Sequence, residues 1–187
     1  MSVVPVIELL RHGHTGQRSY RGQIDDALSE QGWQQLRATA AGGQWDAVVS
    51  STLQRCAAFA HELATQRGCP LRLDPRLVEY HFGQWQGVPI EDIARDAGDA
   101  LGRFWSDPVA HPPPGGEPFA EFRGRLAAAL DQIAAEHAGS ARRVLVVTHG
   151  GAIRALRCMA EQRPFGQMVE IEVAHASLHP LVWPPRE

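Results

Sequence analysis

Short, continuously apolar runs alternate along this chain with longer stretches whose apolar residues recur every three or four positions. The runs at Val3–Leu10, Ala47–Val49, Leu71–Leu73 and Arg143–Thr148 read as strands, the last the most hydrophobic. Helical spacing runs from Ser29 through Ala41, Leu53 to Gln66, Phe119 to His137 and Ala152 to Glu161. Ser29 is a suitable cap for the first helix and Gly42-Gly43 a stop for it, while Gly68 and Pro70 close the second. Ile90 to Trp105 also reads as helix, broken by Gly98 and Gly102, and Val169–Val173 and Leu178–Trp183 read as closing strands. Strands alternating with helices predict an α/β fold: one domain over residues 1–187, with a mostly parallel central sheet and helices on both faces.

Two segments escape this alternation. Tyr80 to Pro89 is rich in aromatics and glycine and reads as an irregular functional loop. His111-Pro112-Pro113-Pro114-Gly115-Gly116 is neither helix nor central strand, because proline lacks the donor that both need. The region of about 80–118 is therefore expected to form a small cap over the rim where the strands end.

The 44% hydrophobic content over 187 residues suits one packed core. No apolar run approaches the roughly 20 residues that span a bilayer, which predicts no membrane partner. The opening MSVVPVIELLRHG has neither a basic leader nor a small-residue cleavage site, so a cytoplasmic location is expected. Cys56, Cys69 and Cys158 are odd in number and irregularly spaced, which fits free thiols better than a disulfide framework or a zinc ribbon. A net charge of -3 without a basic stripe argues against nucleic acid. It leaves room for small anions, which respond to local charge.

Candidate chemistry collects at strand ends. Arg11-His12 follows the first strand, Arg55 follows the second by a few residues, and His149-Gly150-Gly151 follows the strongest one. In parallel sheets these positions share one rim, beside the N-termini of the following helices. Each residue alone is ordinary: a solvated histidine, a surface arginine, a tight glycine turn. Two histidines and two arginines meeting at one rim suit a phosphoryl group, held by arginine forks and helix N–H donors.

Arg11-His12-Gly13-His14-Thr15 resembles the R-H-G-x-T motif of the histidine phosphatase superfamily, also called phosphoglycerate mutase-like. Ser50-Ser51-Thr52-Leu53-Gln54-Arg55, Leu77-Val78-Glu79-Tyr80-His81-Phe82-Gly83 and Val147-Thr148-His149-Gly150-Gly151 resemble its later motifs, in order along the chain. The resemblance implies a phosphoric monoester hydrolase without cofactor or metal, acting on a small phosphorylated metabolite. His12 would be the nucleophile, Arg11, Arg55 and His149 the electrostatic cradle, and Glu79 the proton donor. Arg18, Arg21, Gly22, Tyr80 and Gly150 are candidate substrate contacts, and a homodimer is left open.

His14, Arg18 and Pro118 depart from the family pattern, which puts substrate contacts rather than chemistry in doubt. Tyr20–Asp25, Phe82–Gly87 and Phe104–Pro108 running into Pro113–Glu117 resemble the alpha-ribazole phosphatases of cobalamin synthesis. Aromatics and glycines there would offer flat walls to a ring, or merely pack the cap. A phosphoglycerate mutase and a broad sugar-phosphate phosphatase are the enzymatic alternatives. A phosphate-binding module without catalysis is a further one, because fold alone does not prove activity. A metallohydrolase would use His12 and His14 with Glu79 or His149 as ligands, but Arg11 opposes a cation there and no Asp-rich cluster is present.

Overall fold

A computed structural model describes residues 4–185. Five strands, β1 (Val6–Arg11), β2 (Ala47–Ser50), β3 (Leu71–Leu73), β4 (Arg143–Thr148) and β5 (Leu178–Leu181), form one sheet in the order β3-β2-β4-β1-β5. All neighbouring pairs are parallel except β1 and β5. Central β4 is buried from Val144 to Thr148, which explains its continuous apolar run.

The strand alternation divides the core into two layers. Ile7, Leu9, Val49, Val144 and Val146 face α4 (Phe119–Glu136) and α5 (Gly150–Ala160). Leu10, Val48, Leu145 and Val147 face α1 (Glu30–Ala40) and α2 (Gln54–Arg67). Helix ends obey local chemistry. The Ser29 side chain accepts the Gly32 N–H at the start of α1, and Gly68 ends α2 in the left-handed region.

Several expected boundaries change. Val3 lies outside the described residues, and β1 begins at Val6. The helix α3 (Ile90–Ser106) continues through Gly98 and Gly102, and its kink falls at Ala97. The strand expected at Val169–Val173 is absent. Phe165–Glu170 instead winds into a 3-10 helix that buries Met168, and Ile171 and Val173 are buried in the coil beyond it. The edge beside β1 is already taken by β5. All three cysteines are free, and Cys56 and Cys158 are buried.

The segment from Tyr80 onward packs on the rim rather than forming a separate core. Phe82, Trp85, Ile93 and Phe104 belong to the same cluster as Phe119 and Phe122 of α4. The proline-rich turn is pinned there by the Gln84 N–H to Pro114 and the Glu117 N–H to His81. Among the described residues, no helix is long and apolar enough to cross a membrane.

Candidate active site

A cleft of about 420 Å³ opens where β1, β2 and β4 end. Arg11, His12, Gly22, Arg55, Glu79, Gly150 and Gly151 line it, together with Tyr20, Phe82 and Trp105.

His12 is placed by the sharp exit of β1. Its backbone N–H donates to Thr148, and Gly13 passes so close to the Gly32 carbonyl that a Cβ would collide with it. His12 Nδ1 lies 2.8 Å from the Gly13 carbonyl oxygen. A carbonyl only accepts, so Nδ1 carries the proton and Nε2 holds the free lone pair. Burial, reinforced by the charge of Arg55, keeps the imidazole well below its ordinary protonation range. A buried, neutral, oriented imidazole beside two arginines is equipped to attack phosphorus.

The arginines are held by backbone. Arg55, from the first turn of α2, donates to the carbonyls of Gly22 and Ile24, both at 2.6 Å, and its buried Nε has no partner. The loop that supplies those carbonyls is itself tied to α2, because Asp25 Oδ1 accepts the Gln54 N–H at 2.7 Å. Arg11 donates to the Val173 carbonyl and to His175 Nε2, and its Nε is likewise buried without a partner. Burial lowers the Arg11 pKa to about 10, still cationic at neutral pH.

Glu79 doubles as a remote cap of α5. Its Oε1 accepts the N–H groups of Tyr80 (2.9 Å) and Ala152 (3.0 Å), and its Oε2 that of Gly151 (2.8 Å). Of roughly four lone-pair positions on a carboxylate, three are used, and one remains for a substrate oxygen. The Glu79 backbone is steadied by Arg125 of α4 and by Gln23, which both donate to its carbonyl.

Other expected contacts are placed differently. His149 is fully buried behind the cleft; its Nε2 pairs with the Ser51 hydroxyl at 2.8 Å, and its ring centroid lies 5.2 Å from that of His12. Tyr80 turns into the core, where its hydroxyl donates to the Glu117 carbonyl and its ring packs on Phe82, Phe104 and Phe122. Arg18 is exposed and does not line the cleft. Arg21 lines it, but its fork is committed to Asp26 at 2.7 and 2.9 Å. Trp85 is buried against Phe104, so the aromatic wall belongs to Tyr20, Phe82 and Trp105.

Two titratable cleft residues were not foreseen. His175 accepts from Arg11, and burial followed by the Arg11 charge lowers its pKa to about 4. Arg154 reaches in from α5, and its position four residues after Gly150, on the same helix face, was the available signal. His14 is engaged elsewhere: its Nδ1 accepts the Gly16 N–H. Among the described residues, no three His, Cys, Asp or Glu side chains converge as a metal site.

Residues 7–187 match the sequence pattern of the histidine phosphatase superfamily, branch 1. The chain belongs to that superfamily. A bifunctional protein of Mycobacterium tuberculosis is 35% identical over 177 residues, but the chain spans only 48% of its length. The metal-independent phosphoserine phosphatase of Arabidopsis thaliana is 38% identical over 83% of this chain and 68% of its own. The solved mycobacterial glucosyl-3-phosphoglycerate phosphatase complex with VO3 superposes with a TM-score of 0.86 at 32% identity, over 95% of this chain and 90% of that one. The alpha-ribazole phosphatase of Shigella flexneri, at 22% identity and a TM-score of 0.78, shares the fold over 94% of this chain and 89% of its own.

Within this superfamily member the cleft joins a lone pair, fixed cations and a carboxylate. Those are the parts that phosphoryl transfer needs when no bound ion supplies the charge.

Proposed function

We propose that this chain hydrolyses small phosphomonoesters through a covalent phosphohistidine at His12. The observation that carries the reading is the Nδ1 bond to Gly13, which leaves Nε2 as the nucleophile in a cleft shared with Arg11 and Arg55. Nε2 attacks phosphorus in line while the P–O bond to the alcohol breaks. Arg11 and Arg55 take up the charge of the equatorial oxygens, and His149 buttresses the His12 ring from behind. Glu79 gives the departing alkoxide a proton and then accepts one from the water that attacks the phosphohistidine. That second displacement releases inorganic phosphate and restores neutral His12. Vanadate and phosphate complexes of the mycobacterial relative support a phosphate-sized site in this fold.

Alpha-ribazole 5'-phosphate is a substrate reading supported by the wall of Tyr20, Phe82 and Trp105, against which a planar base would stack. A phosphorylated carboxylic acid is the second reading, favoured by the additional cation Arg154 in the same cleft. Names of relatives that act on phosphoserine and glucosyl-3-phosphoglycerate point the same way. His12→Ala should lower turnover of p-nitrophenyl phosphate by about 10³-fold or more with an unchanged circular dichroism spectrum. Full activity in that variant removes the mechanism. Interconversion of 2- and 3-phosphoglycerate without phosphate release would make the chain a mutase instead.

A further inference from the structure

Arg154 is a cation in the cleft that the hydrolytic chemistry leaves unused. It stands in the second turn of α5, half-buried, with its Nε donating to the Ile171 carbonyl at 3.0 Å. That bond fixes the stem and leaves the two terminal nitrogens as an end-on fork. Among the described residues no carboxylate pairs with it, whereas Arg21 in the same lining is neutralised by Asp26.

Its neighbours define its reach. A Cβ on Gly150 would meet Arg11 Nε at 3.2 Å and Arg154 Nη1 at 3.3 Å, so the two guanidinium groups flank one point of the cleft floor. Arg154 also shares the cleft lining with Tyr20 and Trp105 of the aromatic wall. Arg154 therefore bridges the phosphate cradle and the aromatic wall, where the alcohol part of a bound ester would lie. Two like charges side by side are costly until an anion joins them, and water screens a half-buried pair only in part.

We infer that Arg154 is a specificity-determining residue: it receives a carboxylate carried by the leaving alcohol, so this cleft selects phosphorylated carboxylic acids. The inference rests on the hydrolase reading and names the substrate class of that same site. A carboxylate fits an end-on arginine fork with two parallel N–H···O bonds. With Nε engaged, the two terminal nitrogens of Arg154 still carry four N–H donors, enough to serve both oxygens of a carboxylate. The Tyr20, Phe82 and Trp105 wall remains free for whatever body the acid carries.

Matched pairs test it: 3-phosphoglycerate against glycerol 3-phosphate, and O-phosphoserine against phosphoethanolamine, with p-nitrophenyl phosphate as the reference. The wild type should favour the acid of each pair by about tenfold or more in kcat/KM. Arg154→Gln should raise KM for the acids by about tenfold, with kcat and the values for the carboxylate-free partners within about twofold. Arg154→Lys should recover part of the loss, since it restores charge without the fork. Equal losses on both members of each pair would make Arg154 part of the phosphate cradle and overturn the inference. So would a wild type that shows no preference for the acids, a result that needs no variant to fold, or one that prefers alpha-ribazole 5'-phosphate. In each of those cases the hydrolase reading survives. If the wild type hydrolyses no ester, p-nitrophenyl phosphate included, both readings fall.

Discussion

Replacing Glu79 with glutamine separates its two duties, capping a helix and donating a proton. The carboxylate accepts three backbone N–H groups, two of them from the first turn of α5, and it is only 8% exposed. In Glu79→Gln the amide oxygen can replace Oε1, which serves Tyr80 and Ala152. The amide nitrogen then faces the Gly151 N–H, donor against donor. Losing one hydrogen bond to a charged group costs about 1.5–3 kcal/mol, and losing the charge at a helix N-terminus about 0.3–1 kcal/mol more. The combined cost of about 2–4 kcal/mol corresponds to a fall in Tm of roughly 5–15 °C for a chain of this length. Catalytically, a positioned general acid contributes about 10²–10⁴-fold. Glycerol phosphate, whose alkoxide leaves badly, should therefore slow by about 100-fold or more, and p-nitrophenyl phosphate by less than about tenfold. Thermal melts and steady-state assays on both esters, well below the variant's Tm, read the two effects apart. Equal slowing of both esters would refute the proton-donor role and leave Glu79 as a structural cap.

Other outcomes follow from the same geometry. Exhaustive chelation should leave activity intact, because arginines supply the charge stabilisation; loss on chelation, restored by one divalent ion, would favour the metallohydrolase alternative. Folding holds His175 down at about 4 against an ordinary 6.5, so the unfolded chain takes up its proton first as pH falls. Stability should therefore drop as pH falls from about 6.5 to about 4, with buried His12 and His149, whose pKa values are also depressed, adding in the same direction. His175→Asn should make that decline shallower in urea titrations at several pH values, and an unchanged slope would contradict the assignment.

The fold was legible where the sequence pattern is enforced by burial. β1, β2 and β4 lie inside the sheet, and their apolar runs follow from being covered on both faces. Val169–Val173 misled because its alternation of β-branched residues and glutamates suggests a strand, whereas a spacing of three between Met168 and Ile171 suits the 3-10 winding actually present. His12, Arg55 and Glu79 were readable from motif order, and strand ends explain why His12 and Arg55 meet. Facing directions inside the aromatic loop were not: Tyr80 and Phe82 sit two residues apart, yet only Phe82 lines the cleft. No periodic rule operates in an irregular loop. Arg154 was hidden by its residue type, since an arginine on a helix is usually at the surface.

The central claim is the covalent intermediate, and trapping it is the most direct test. The wild type should be mixed with a 32P-labelled phosphomonoester, quenched in alkali within one turnover and digested. The account predicts label on the peptide containing His12, stable in alkali and released by acid, as a phosphoramidate requires, and absent from His12→Ala. Turnover that proceeds without protein-bound label in a single-turnover quench, or label resting on another side chain, would contradict it.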